Sequence, residues 1–389
     1  MELLMALAMA ATISVPGRGA ATPTVAASGA TVVVAFSAAD ASGAADVFVA
    51  VSHDGAARFA PAVRVNDVAG AADVNGEQPP RIELADGAIV VVWTAKAARG
   101  TRLMQARSVD DGRTFSPSTV VAGSDAPGNR GWESIAGPLV LWLDHRDLAK
   151  GDGAEATQHV HGSGGSMAER SKLYIGSLDG SVAPHAITSS VCYCCKTALV
   201  SSQSTVYAAW RHVFPGSVRD IAFAVSRDGG RTFNAPVRVS DDRWVLQGCP
   251  ENGPALAVDA RQRAHVVWPT LTKEASGADE NLALFYAQSS DAKAFTPRTR
   301  IPTEGTPRHP QVIVGRDGSL LVAWDESADG RKRVVAARAT FDRSGAPAFA
   351  RDVLGEGTYP TIALSESPVV AWMASDGIRV QRATPASAK

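Results

Sequence analysis

What the 389-residue chain lacks narrows its function first. Neither sign of charge prevails: 38 Lys and Arg against 39 Asp and Glu leave a net charge of -1. No basic field exists to hold nucleic acid or an anionic membrane surface. No run approaches the roughly 20 consecutive apolar residues of a spanning helix, so no membrane span is expected. There is no glycine-rich phosphate loop, no Ser-His-Asp ordering and no His-Glu-x-x-His helix, which removes the motif-based grounds for nucleotide, triad or zincin chemistry. The N-terminus also lacks the positive charge of a secretory leader, since Glu2 stands there, although the apolar stretch ends in an Ala8-Met9-Ala10 pattern that a signal peptidase accepts. Residues 1–10 are therefore expected to be a signal-peptide remnant. Residues 11–389 form a single domain expected in the periplasm or outside the cell, as a monomer.

What is present is turn residues and short apolar strands. Gly 35 and Pro 22 accompany 45% hydrophobic residues, a composition that punctuates a large core with turns. Seven apolar runs end in an aromatic: Thr31 to Phe36, Ile89 to Trp93, Leu139 to Trp142, Val206 to Trp210, His265 to Trp268, Leu320 to Trp324 and Val369 to Trp372. They recur at roughly 50 to 70 residues, the size of one four-stranded blade with its loops. Shorter apolar strands opened by Pro23, Pro254 and Pro310 precede some of them. The spacing predicts an all-β propeller of four-stranded blades, with seven blades preferred and six as the alternative. The seventh repeat supplies only three strands, and the chain from Ala11 to Val15 is the expected fourth, which would close the ring.

Two segments share a turn signature. Ser108, Asp110, Gly112, Thr114 and Phe115 repeat as Ser226, Asp228, Gly230, Thr232 and Phe233, and degraded copies begin at Ser52 and Ser289. An Asp that accepts from the turn backbone and a Gly free to take positive φ explain the signature locally. The pattern resembles the Asp-box, or BNR repeat, of β-propellers in the sialidase (neuraminidase) superfamily. These turns join third to fourth strands, so they lie away from the face on which such propellers carry their sites.

The opposite face collects the loops leading into each blade and the loops between second and third strands. The leading loops bring Gln78, Arg130 with Glu133, Cys192 to Cys195, Cys249 with Glu251, Arg308 with His309, and Tyr359. All four cysteines fall in the leading loops of two neighbouring blades, and His145, His159, His161 and His212 lie in loops nearby. Cys192, Cys194, Cys195 and Cys249 with His159, His161 and His212 form a ligand set suited to copper or zinc, soft ligands favouring Cu(I). The same cysteines also fit disulfides that only staple loops, or a redox thiol pair, since a bridge from Cys249 to the cluster leaves two thiols over. His265, inside a strand, is expected to pack.

The resemblance to sialidases implies a guanidinium triad gripping a carboxylate, a Tyr nucleophile with a Glu partner, and an Asp acid. It points to Tyr359 as the phenol, Glu133 or Glu251 as its partner, and Arg130 and Arg308 as guanidinium groups, with Arg81 a further candidate. The first repeat departs from the family, because the family's Arg-Ile-Pro signature is absent: the first strand reads Gly19-Ala-Ala-Thr-Pro-Thr24, with no arginine in that stretch beyond Arg18. Three functions stand side by side: a metal-binding propeller, an exo-alpha-sialidase-type glycoside hydrolase, and a non-catalytic binding platform. The expected partner is a small molecule, a glycan or a metal-delivery protein.

Overall fold

The computed structural model describes residues 10–148, 167–246, 248, 250–272, 281–343 and 345–383. Its strands form seven four-stranded antiparallel sheets, and the chain is a seven-bladed β-propeller. The first strands of the blades are Gly19–Ser28, Arg81–Ala85, Arg130–Ala136, Ala198–Ser202, Ala255–Val258, Thr306–Val314 and Thr358–Leu364. Each contacts the first strand of the next blade, and the seventh contacts the first, so they ring the axis. Ala11–Ile13 pairs with Gly377–Arg382, Ile13 opposite Ile378, and completes the seventh blade. This pairing covers the edge of Gly377–Arg382 that the seventh blade would otherwise leave bare.

Near-continuous apolar runs form these strands because each blade is covered on both faces. Val32, Val33, Val34, Ala35 and Phe36 are all fully buried. Alternate residues of such a strand face opposite neighbours. Val33 and Ala35 pack with Trp93 of blade 2, whereas Val32, Val34 and Phe36 pack with Ala371 and Val380 of blade 7. Trp93, Trp142, Trp210, Trp268, Trp324 and Trp372 all lie in the interior between blades. Several indoles satisfy their N–H two residues along the chain: Trp142 Nε1 donates to Asp144 Oδ2 at 3.0 Å and Trp324 Nε1 to Glu326 Oε2 at 3.1 Å. His265 is buried in its strand, with Nδ1 2.8 Å from the Tyr286 hydroxyl.

The Ser-x-Asp turns close third onto fourth strands as their chemistry dictates. Asp110 Oδ1 accepts from Thr114 N at 3.0 Å, and Ser108 Oγ accepts from Gly112 N at 2.8 Å. Asp228 and Ser226 repeat both bonds to Thr232 and Gly230. The degraded copy at Ser52 keeps the bond from Arg58 N to Asp54 at 2.9 Å. Antiparallel order puts these turns at the end of the blades opposite the leading loops.

Candidate functional site at the channel mouth

A deformation recurs where the chain enters its blades. The pairing of first with second strand slips between Ala21 and Thr24 in blade 1, Gly131 and Ser134 in blade 3, Arg308 and Gln311 in blade 6, and Thr358 and Thr361 in blade 7. In each slip one residue takes a left-handed backbone: Thr22 (φ 49°), Trp132 (φ 56°), His309 (φ 50°) and Tyr359 (φ 53°). Glu251, leading into blade 5, does the same at φ 48°. Left-handed backbone costs a non-glycine residue of order 1 kcal/mol or more, and bulges of this kind re-aim side chains beside functional sites. Thr22, His309 and Tyr359 line one small cavity, whereas Trp132 packs against the cysteine cluster.

Two of them meet. The rings of His309 and Tyr359 lie 4.2 Å apart, and His309 Nδ1 is 2.6 Å from Asp325 Oδ1, which also accepts from Tyr359 N at 3.1 Å. A carboxylate there orients Nδ1 as the donor, and the other ring nitrogen, Nε2, lies 3.9 Å from Glu77 Oε1. Burial, then the negative charges of Asp325, Glu77 and Glu251, raise the Tyr359 pKa above that of an ordinary phenol, while Arg308 opposes them. Tyr359 is half-buried, His309 is covered, and Arg308 and Glu251 are exposed.

Below this pair a polar brace spans the channel. Glu77 Oε2 accepts from Lys196 N at 2.9 Å and Gly253 N at 3.2 Å, so one carboxylate of blade 2 holds the chain leading into blades 4 and 5. Lys196 Nζ donates to the Pro310 carbonyl of blade 6 at 2.5 Å, and burial lowers its pKa to about 8. The cavity between Thr22, Arg81, Lys196, His309 and Tyr359 measures only about 10 Å³, room for about one water.

The structure brings Tyr359, Glu251 and Arg308 into one electrostatic neighbourhood and sets Arg130 and Glu133 apart from it. Arg130 is fully buried, paired with Asp144 at 3.2 Å and bonded to the carbonyls of Ala126, Pro127 and Gly128. Glu133 is buried against Thr94 Oγ1 at 3.0 Å, and burial raises its pKa. Arg81 Nε donates to the Glu133 carbonyl at 2.7 Å, and Arg18 pairs with Asp46 at 2.9 Å. Glu77, Lys196 and Asp325 join the mouth without having been singled out in the sequence. Their signal was weak: Glu77 lies between Asn75-Gly76 and Pro79, a loop that echoes Asn252-Gly253-Pro254 ahead of blade 5.

The cysteines form a second cluster, walled by Trp132, Tyr193 and Val213. Cys192, Cys194 and Cys195 are buried, with their sulfurs within 4.8 Å of one another. Cys192 and Cys195 are free thiols 3.2 Å apart, whereas Cys194 is disulfide-bonded. Burial opposes ionisation of Cys192, yet the bond from Cys195 and the charges of Arg219 and Arg211 outweigh it and lower the pKa to about 7. The Cys195 pKa is raised by burial and by its partner. His212 stands outside the sulfur group, with Nδ1 accepting from Trp210 Nε1 at 3.4 Å and its ring against Phe214. His145 packs on Trp132 and Tyr193. Cys249, His159 and His161 lie outside the described residues.

No protein-family model matches this chain, and no curated protein matches it. Solved structures do. A polysaccharide lyase of family PL25, an ulvan lyase, superposes with a TM-score of 0.58 at 11% identity, covering 96% of this chain and 95% of its own. A GH93 alpha-L-arabinofuranosidase of Fusarium graminearum gives a TM-score of 0.56 at 10% identity over 96% and 97%. A Hadza microbial sialidase, Hz136, gives 0.47 at 14% identity over 90% and 73%. At these identities the likeness to the lyase and the arabinofuranosidase is one of fold, and that fold is the propeller described above.

Proposed function

We propose that this protein is an extracytoplasmic carbohydrate-active propeller that cleaves an acidic glycan over the channel mouth, with Tyr359 and His309 as its acid–base pair. The observation that carries the reading is the contiguous set Tyr359, His309 and Asp325, held at two strained bulges with Glu77 beneath. Asp325 fixes the His309 tautomer so that Nε2 can take a proton. The raised pKa keeps the Tyr359 phenol protonated at neutral pH, where it can give one. Arg308 supplies an exposed cation for a sugar carboxylate. The substrate class also draws support from the lyase of like fold, solved bound to -[GlcA(1-4)Rha3S]-.

Elimination at a uronate suits this pair better than hydrolysis of a sialoside. A sialidase-type site asks for several guanidinium groups on one carboxylate, whereas Arg130, Arg81 and Arg18 are each committed to other partners. Residence outside the cytoplasm is supported by the disulfide at Cys194, a bond that oxidising compartments preserve.

The test is incubation of the purified chain with uronate-rich and sialylated polysaccharides. It follows the ultraviolet absorbance of an unsaturated uronate, the release of reducing ends, and the release of sialic acid. Elimination is expected, reduced about 100-fold or more by Tyr359→Phe and by His309→Ala. No cleavage of any polymer, or full activity in Tyr359→Phe, overturns the reading; sialic acid release without unsaturation replaces elimination with hydrolysis.

A further inference from the structure

We propose that Cys192 and Cys195 form a buried two-thiolate site for a soft monovalent cation, Cu(I). The site is separate from the glycan reading, because neither cysteine belongs to the Tyr359 and His309 group. Both thiols are free, 1% and 2% exposed, and their sulfurs face each other at 3.2 Å. Two metal–sulfur bonds of roughly 2.3 Å reach about 4.6 Å at most, so from 3.2 Å the sulfurs need to part by no more than about 1.4 Å around an ion.

The surroundings select the ion. Among the described residues no imidazole or carboxylate lies within 4.8 Å of both free thiols, and the third sulfur of the group, on Cys194, is taken by its disulfide. Zinc in a closed protein site takes four ligands in a tetrahedron, and calcium or magnesium takes oxygens, so this donor set serves neither. Thiolate donors select Cu(I).

Charge is balanced from the next layer. Arg219 Nη1 donates to Cys192 Sγ at 3.4 Å, and the Arg219 guanidinium is fixed by its Nε bond to the Leu246 carbonyl at 2.8 Å. Arg211 is anchored by carbonyls of Asn252, Arg219 and Pro269, and its charge acts on both sulfurs. Two thiolates and one Cu(I) carry one negative charge, which these buried guanidinium groups offset. Trp132, Tyr193 and Val213 keep bulk water from the sulfurs. Binding forms two Cu–S bonds and releases the remaining thiol protons to solvent, with no change in oxidation state.

The experiment is an anaerobic titration of the full-length protein, its Cys194 disulfide left intact, with Cu(I) held as its coloured bicinchoninate complex. X-ray absorption of the loaded protein accompanies it, with thermal melting as the folding control. One Cu(I) per chain is expected, in a shell of two sulfurs. Uptake should be lost in Cys192→Ser and Cys195→Ser, kept in Tyr359→Phe and His212→Ala, and weakened about 10-fold or more in Arg219→Leu. The proposal is overturned if the wild type withdraws no copper, if Cys195→Ser binds as the wild type does, if the shell contains nitrogen, or if zinc displaces Cu(I) at equal concentration. Should the serine variants fail to fold, the sulfur-only shell of the wild type still decides.

Discussion

The Tyr359 ring rests on the backbone of Gly76: a Cβ at that glycine would stand 1.8 Å from Tyr359 Cε1. Blade 2 thereby sets where the phenol of blade 7 sits. Gly76→Ala must displace that ring, at a cost of about 1 to 3 kcal/mol for overpacking. The expected outcome is a folded protein with Tyr359 moved in its crystal structure and with glycan cleavage lowered toward the level of Tyr359→Phe. An unmoved ring with unchanged turnover would detach Gly76 from the site.

Two buried tryptophans separate packing from hydrogen bonding. Trp324 Nε1 donates to the buried Glu326, whereas Trp93 Nε1 has no hydrogen-bond partner among the described residues. Replacement by Phe leaves a similar void in both cases but removes a charge-assisted bond only from Trp324. Chemical denaturation should show Trp324→Phe to be the more destabilising by about 1 kcal/mol or more. Equal losses would mean that Arg333 and Arg351 satisfy Glu326 unaided.

Acid should unfold the protein through its buried histidines. Burial pushes His145, His212 and His265 down to about 4, whereas an unfolded histidine titrates near 6.5. Between those values the unfolded chain binds more protons than the folded one, so stability falls as pH drops from about 6.5 toward 4. For fully buried His265 the effect is of order 3 kcal/mol at the acid end. Melting temperatures across this range should fall less steeply in His265→Phe than in the wild type, and parallel slopes would remove His265 from the account.

Ring closure rests on a short strand. Ile13 is 4% exposed and packs with Phe36, Ala371 and Val380 of blades 1 and 7. Ile13→Ala should destabilise by about 3 kcal/mol. Removal of residues 10–14 should also bare the edge of Gly377–Arg382 and promote association, read by light scattering. A deletion variant that melts like the wild type and stays monodisperse would show closure to be dispensable.

The sequence by itself determined the blades. Buried strands covered on both faces need uninterrupted apolar runs, so Val32 to Phe36 and its six counterparts stand out locally. Ser108 with Asp110 and Ser226 with Asp228 announce turns whose hydrogen bonds run between near neighbours. Repetition also made the order of blades legible, and with it the leading loops that carry Tyr359, Glu251, Arg308 and the cysteines. What the tertiary structure decided is which of those side chains face one another. Arg130 and Arg308 look alike in the sequence, yet one is locked to Asp144 and the other stands open beside Tyr359. Glu77 and Lys196 carry no motif, and they brace the channel because four blades converge there, joining residues more than a hundred positions apart. Contacts of that range depend on closing the ring, and no periodicity along the chain encodes them.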